Sequence, residues 1–170
     1  MKRIIAILII VTVLVIAVSY PFFSAVVAEE GESGRPLAFF LNKPGEKFSI
    51  KYIHSIHRTP VLETYLTNKN GEIVQTEIRF EEFGIGMPSG PSGNETFAQK
   101  NGTYILANMN RTFSSLDIRV GQVVADHRLI IDGEEYPFSS FSDKGSWVRI
   151  ETKKWSMWQW MIGGKRLGKQ

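Results

Sequence analysis

Residues 61–83 read VLETYLTNKNGEIVQTEIRFEEF, and the order of residue types within them decides the fold. Val61–Thr67 and Glu72–Phe83 are rich in β-branched and aromatic residues. Between them lies Asn68-Lys69-Asn70-Gly71, and Asn-Gly readily supplies the left-handed backbone of a tight hairpin turn. In the second arm Val74, Thr76, Ile78 and Phe80 alternate with Gln75, Glu77, Arg79 and Glu81. A period of two places one set in a core and the other in water. The stretch reads as an antiparallel hairpin.

The same pattern continues on both sides. Upstream, Leu37–Leu41 is a short apolar run, Asn42-Lys43-Pro44-Gly45 is a turn signal, and Phe48, Ile50 and Tyr52 alternate with Ser49 and Lys51. Downstream, residues 84–102 hold five glycines and two prolines and predict a long loop. Strand-like runs resume at Thr103–Met109, Leu116–Val120, His127–Ile131, Glu134–Phe138 and Ser146–Thr152, with Asp132-Gly133 as a second tight turn. No long helical period precedes residue 153. Many short strands with turns between them predict a mainly β domain over residues 37–152, a small antiparallel β-sandwich or barrel.

Composition narrows the classes further. The chain has 170 residues, 43% of them hydrophobic and 22% charged, as a globular domain requires. Cysteine is absent, which excludes disulfides, thiolate metal sites, a cysteine nucleophile and a lipoprotein-type anchor. The sequence pI is near 9.2, yet the basic excess sits at the two ends: Lys2 and Arg3 at one, and Lys153, Lys154, Lys165, Arg166 and Lys169 at the other. All 17 acidic residues fall between Glu29 and Glu151, against 13 basic residues in the same span. Basic ends around an acidic centre suit a membrane surface and argue against a nucleic-acid partner.

Met1-Lys2-Arg3 opens a run that is apolar from Ile4 to Val18 except for Thr12 and continues with mild interruptions to Ala28, where Glu29, Glu30 and Glu32 end it. The run predicts a transmembrane signal anchor over residues 1–28, followed by a polar linker over 29–36. Basic residues on the amino side put that end in the cytoplasm and the domain outside, as a single-pass protein of the cell membrane. The alternative is a secreted protein released by cleavage near Ala28. At the other end, residues 153–170 read as a separate Trp-rich basic tail. Trp155, Trp158, Trp160, Lys165 and Arg166 suit a second contact with the membrane surface, or the tryptophans complete the core.

The densest polar cluster is HSIHRTPVLETY at residues 54–65. His54 extends the alternating face of Phe48, Ile50 and Tyr52, so it enters the interior at a strand end. Ser55, His57, Arg58 and Thr59 form a connection, and Pro60 opens the next strand. That strand is expected to bring Glu63 back beside His54, in a pair that braces the turn while the exposed Ser55–Thr59 connection carries any recognition. A hydrolase or metal-dependent enzyme built on His54 and Glu63 is the rival reading. No G-x-S-x-G elbow is present, and His54 and His57, three apart, do not share a strand face. The expectation is therefore a non-enzymatic protein with no catalytic residue, metal or cofactor assigned. Phe83-Gly84-Ile85-Gly86-Met87-Pro88 reads as a sharp bend, because glycine tolerates positive φ. Arg119-Val120-Gly121, with His127 six residues on, forms a third cluster.

Taken together, Tyr52-x-His54-Ser55, Thr59-Pro60, Glu63, Phe83-Gly84-x-Gly86-x-Pro88, Arg119-Val120-Gly121 and His127 resemble the bacterial domain-of-unknown-function family numbered eighteen-fifty. The resemblance covers about residues 37–152. It implies a context rather than an activity, because genes of that family often neighbour those of TRAP-type uptake transporters of the TAXI class. The implied role is an extracytoplasmic accessory protein whose partners are TRAP transporter subunits or the transporter's solute-binding protein. A free-standing ligand-binding or envelope module is the other non-enzymatic reading. The positions of interest are His54, Ser55, Thr59, Pro60, Glu63, Gly84, Gly86, Arg119, Gly121 and His127. Ile85 departs from the small residue the resemblance leads one to expect there.

Overall fold

A computed structural model describes residues 1–168. Helix α1 (Lys2–Ser19) is followed by β1 (Phe23–Glu30), β2 (Pro36–Leu41), β3 (Lys47–Ile53), β4 (Pro60–Thr67), β5 (Ile73–Phe80) and β6 (Thr96–Lys100). Then come β7 (Thr103–Phe113), β8 (Ser115–Arg119), β9 (Arg128–Ile131), β10 (Glu134–Pro137), β11 (Trp147–Trp155), helix α2 (Met157–Ile162) and β12 (Lys165–Arg166). The strands form two sheets, ordered β12-β2-β1-β11-β8 and β10-β9-β3-β4-β5-β7-β6. Every pairing is antiparallel except β12 with β2. The mainly β sandwich expected from the alternating runs is the fold observed; the sheets stack and do not close into a barrel.

The amino-terminal segment departs from its sequence reading. Helix α1 stops at Ser19, and Tyr20 is already extended at φ −73°, ψ 133°. Pro21 explains the stop, since a proline drives the residue before it out of the helical region. The last six residues of the apolar run, Phe23 to Ala28, join Glu29 and Glu30 in a central strand instead of more helix, hydrogen-bonded to β2 on one side and β11 on the other. Apolar residues in unbroken succession suit a membrane helix or a strand buried on both faces, and composition alone does not separate the two. The boundary at residue 28 and the linker at 29–36 are thereby corrected: only Tyr20, Pro21 and Phe22 separate helix from domain.

Strand β1 is buried on both faces. Val26 and Ala28 point inward with Ala38, Phe40, Val148 and Ile150, onto Phe48, Ile50, Tyr65 and Leu129 of the larger sheet. Phe48 meets Phe40 edge-on at 5.5 Å and stacks on Tyr65 at 5.6 Å. Ala25 and Val27 point outward and are covered with Phe39 by Trp155 and Trp160. Burying each such large side chain contributes about 1.5–3 kcal/mol. Farther along the outer face the chain is charged: Lys153 reaches Glu29 at 2.6 Å and Glu151 at 2.7 Å, and Arg149 reaches Asp117 at 2.7 Å.

The carboxy-terminal segment is part of the domain as well. Lys153–Trp155 complete β11, and Leu167, 3% exposed, donates its N–H to Phe39 O and joins the core. Trp155, 2% exposed, is a core residue and is removed from the membrane-surface set. Lys169 lies outside the described residues.

Two local differences shape the larger sheet. The loop expected over residues 84–102 contains β6, which turns through Asn101-Gly102 into β7. The face assignment within β5 reverses at Thr76. A bulge there sets one β5 residue against Asn108, Met109 and Asn110 of β7, with Asn108 at φ 57°. One unpaired residue flips every side chain beyond it. Gln75 is therefore buried with Ile73, while Val74, Thr76, Glu77 and Arg79 line an outer groove.

If β1 is integral to the domain, a chain beginning at Tyr20 should show a cooperative thermal transition by circular dichroism. A chain beginning at Glu29, which lacks six of the eight β1 residues, should show none.

Candidate functional site

Strand β3 ends at Ile53 opposite Pro60, and the chain reverses through residues 54–59. His54 N–H donates to Thr59 O and Arg58 N–H donates to His54 O, each at 2.9 Å, while Arg58 sits at φ 58°. The turn buries the His54 ring, 9% exposed. Its Nδ1 accepts the His57 N–H at 3.3 Å, so the ring proton resides on Nε2, which donates to Ile85 O at 3.2 Å. The His57 ring stacks on His54 at 4.9 Å and its Nδ1 lies 2.9 Å from Glu82 Oε2. Gly84 passes so close beneath that a Cβ there would overlap His57 Nε2. Gly86, at φ 87°, completes the bend, with Met87 N–H donating to Gly84 O.

His54, Thr59, Gly84 and Gly86 thus meet in one clasp that joins the β3–β4 turn to the loop after β5. His57 and Glu82 complete it, and sequence reasoning missed their part because the contact spans 25 residues of chain. Ser55 and Pro60 are exposed on its rim. Ile85 contributes only its carbonyl, and its side chain is 83% exposed, so a large residue fits there without crowding.

Glu63 does not reach His54, contrary to the sequence expectation. The register pairs Glu63 with Ile50, four residues before His54, or about 13 Å along the strand. Glu63 instead faces into the sandwich, where Tyr65 Oη donates to its Oε2 at 2.7 Å. Burial pushes the Glu63 carboxyl above its ordinary range, and hydrogen bonds from Tyr65 and Tyr52 oppose that rise. Both tyrosines are pushed well above the usual phenol range, first by burial and then by the Glu63 charge.

The third cluster is separate. Gly121 N–H donates to His127 Nδ1 at 3.3 Å, and a Cβ on Gly121 would press on Ala125. The His127 ring lies 5.4 Å from Tyr52 and 6.0 Å from Phe138, and burial lowers its pKa. It borders a small cavity of about 210 Å³ with Asp126, Ser139 and Lys144. Arg119 is exposed and directs Nε toward Gly145 O at 3.4 Å.

Chemically, the ring nitrogens of His54 are both occupied within the clasp, so the geometry braces a loop. Its display is apolar: Ile56 is 63% exposed, and Phe83 and Phe97 are about two-fifths exposed over a base of Phe80 and Tyr104. Scattered over four separate segments, these residues carry no signal in a linear reading. Among the described residues no group of three or more His, Asp or Glu is placed to hold a metal ion. An open groove of about 820 Å³ crosses the outer face of the larger sheet, lined by Lys47, Thr64, Asn68, Arg79 and Asn108.

Fold and site together define a sandwich-like β domain with an apolar amino-terminal helix and a histidine-braced loop end. Residues 48–138 match the family model described as Domain of unknown function (DUF1850), and the chain belongs to that family. No curated protein and no solved structure matches it.

Two measurements probe the site. Gly84→Ala should lower stability by about 1–2 kcal/mol through loss of the His57–Glu82 contact, and that cost should shrink in a His57→Ala background, as read by urea denaturation of the four proteins. Because the native pKa of Glu63 is raised, its contribution to stability is fully present below the unfolded-state pKa and is lost as pH rises through the native value. Glu63→Gln should therefore flatten the decline in melting temperature from acid toward neutral pH, and an unchanged profile would show that the carboxyl is not buried as described.

Proposed function

We propose that this chain is a membrane-anchored accessory protein that holds a β domain on the extracytoplasmic side and assists a TAXI-type TRAP solute transporter through its membrane subunits or solute-binding protein. The observation that carries the membrane half of this reading is the junction at residues 20–22. An 18-residue apolar helix with no buried residue leads within three residues into the central strand of the domain. At 1.5 Å per residue α1 spans about 27 Å, close to the hydrocarbon thickness of a bilayer. Lys2 and Arg3 favour a cytoplasmic amino terminus. Cleavage near Ala28 is disfavoured, because it would remove most of β1.

The transporter half rests on the family context and on the apolar loop end around Ile56, Phe83, Ile85 and Phe97. Strands β3 and β4 run from residues near Ser24, where Asn42 N–H meets Ser24 O, to this loop end. The loop end therefore lies away from the junction with α1, where a partner can reach it. The enzyme reading loses its support, since His54 and Glu63 serve different contacts.

Two measurements test the reading. Alkaline phosphatase fused to the carboxy terminus of the full chain should be active, and an inactive fusion would overturn the orientation. A photo-crosslinking residue at Ile85 in native membranes should capture a transporter subunit or solute-binding protein. Absence of that adduct, together with unchanged solute uptake in cells lacking the protein, would overturn the accessory role.

A further inference from the structure

Helix α2 presents a surface that neither the fold nor the clasp uses. Only six residues long, it is nonetheless well defined, because Ser156 Oγ accepts the Gln159 N–H at 3.2 Å and Gln159 Oε1 accepts the Ser156 N–H at 3.0 Å. This reciprocal cap satisfies two donors that a helix start leaves open. Trp160 turns inward onto Ala25, Val27, Phe39 and Trp155, and Gly163 allows the chain to pass tightly over Trp155. The opposite side carries Trp158, Met161 and Ile162 at i, i+3 and i+4, which are 55%, 65% and 62% exposed. Such a spacing makes one continuous apolar stripe. An apolar stripe facing water is unfavourable unless something covers it.

The surroundings identify the cover. Helix α1 touches α2, and no residue of α1 is buried, Val18 alone being half-buried. Tyr20 and Phe22, 57% and 61% exposed with their rings 4.7 Å apart, stand at the same junction. Lys165 and Arg166 follow α2 and are exposed, with the Arg166 guanidinium 4.9 Å above the Trp160 ring. Aromatic residues concentrate at the headgroup level of a bilayer, and Lys and Arg add attraction to anionic lipid.

We infer that α2 is an interfacial helix: its Trp158-Met161-Ile162 stripe lies in the headgroup region of the bilayer that α1 enters, with Lys165 and Arg166 against anionic lipid. The inference rests on the reading of α1 as a retained anchor. A stripe this short would bind lipid weakly by itself. Tethered beside α1 it does not need to bind from solution, because the anchor supplies a high effective concentration at the surface. Two contacts, one spanning and one lying flat, prevent the domain from swivelling about a single helix and hold the loop end of the sandwich in one direction.

The chain contains no cysteine, so single spin labels can be placed without background. Full-length protein carrying Met161→Cys, Leu14→Cys or Ile85→Cys is reconstituted in liposomes of zwitterionic lipid with and without anionic lipid. Accessibility to oxygen is then compared with accessibility to a water-soluble nickel complex. The expected result is a deep lipid signature at position 14, a shallower lipid signature at 161 that deepens with anionic lipid, and a water signature at 85. A water signature at 161 with a lipid signature at 14 would overturn the interfacial helix and leave the anchor standing. Exclusion of both reagents at 161 would show that protein, a second copy or a partner, covers the stripe, and would also overturn it. A water signature at 14 would overturn the anchor reading itself, and the interfacial helix with it.

Discussion

The structure depends on the burial of β1 from both sides. Its inward residues close the core against the larger sheet, its outward residues seat Trp155 and Trp160, and its backbone bonds to β2 and β11. A strand with both faces covered has no solvent-facing side to relax toward, so its register is strongly specified. Since β1 begins three residues after α1, the specification passes to the junction: the position of the apolar helix and the position of the sandwich are one geometrical decision.

The family match is instructive in the same light. Residues 48–138 contain the larger sheet almost entire, together with β8, but they omit β1, β2, β11 and β12. Val26, Ala28, Phe40, Val148, Ile150 and Leu167, which seal the inner face, all lie outside the matched segment. The matched part carries the clasp and the alternating strands, but it cannot bury its own apolar face. The flanking segments, one of them continuous with α1, supply the second layer.

His54, His127 and Glu63 follow the rule that burial demands partners, whereas the buried Thr152 hydroxyl in β11 has none among the described residues. His54 satisfies both ring nitrogens with backbone groups of its own turn and of the loop it restrains. Glu63 takes its hydrogen bond from Tyr65 and keeps a raised pKa because two phenols do not fully replace water. His127 accepts the Gly121 N–H and is flanked by Tyr52 and Phe138, and burial lowers its pKa. These groups brace the fold, and the residues open to a partner are the apolar ones beside them.

The sequence by itself determined whatever depends on neighbours along the chain. Alternation in Phe48, Ile50 and Tyr52, the Asn70-Gly71 and Asp132-Gly133 turns and the Gly84–Gly86 bend are local signals, and all appear as read, because strand period and positive φ are properties of a few adjacent residues. The resemblance to the family was likewise legible in short motifs. What only the tertiary structure decided is everything set by pairing between distant segments. Residues 23–28 are strand and not helix because β2 and β11 offer hydrogen bonds and two apolar surfaces to receive them. Glu63 meets Tyr65 and Tyr52 and not His54, because a two-dimensional register fixes which levels of β3 and β4 coincide. Gln75 turns inward because a bulge at Thr76, where the register shifts against both β4 and β7, moves the pleat by one. Trp155 is core while Trp158 is exposed because α2 folds back over the sheet, and the burial of a tryptophan is set by what the rest of the chain places against it.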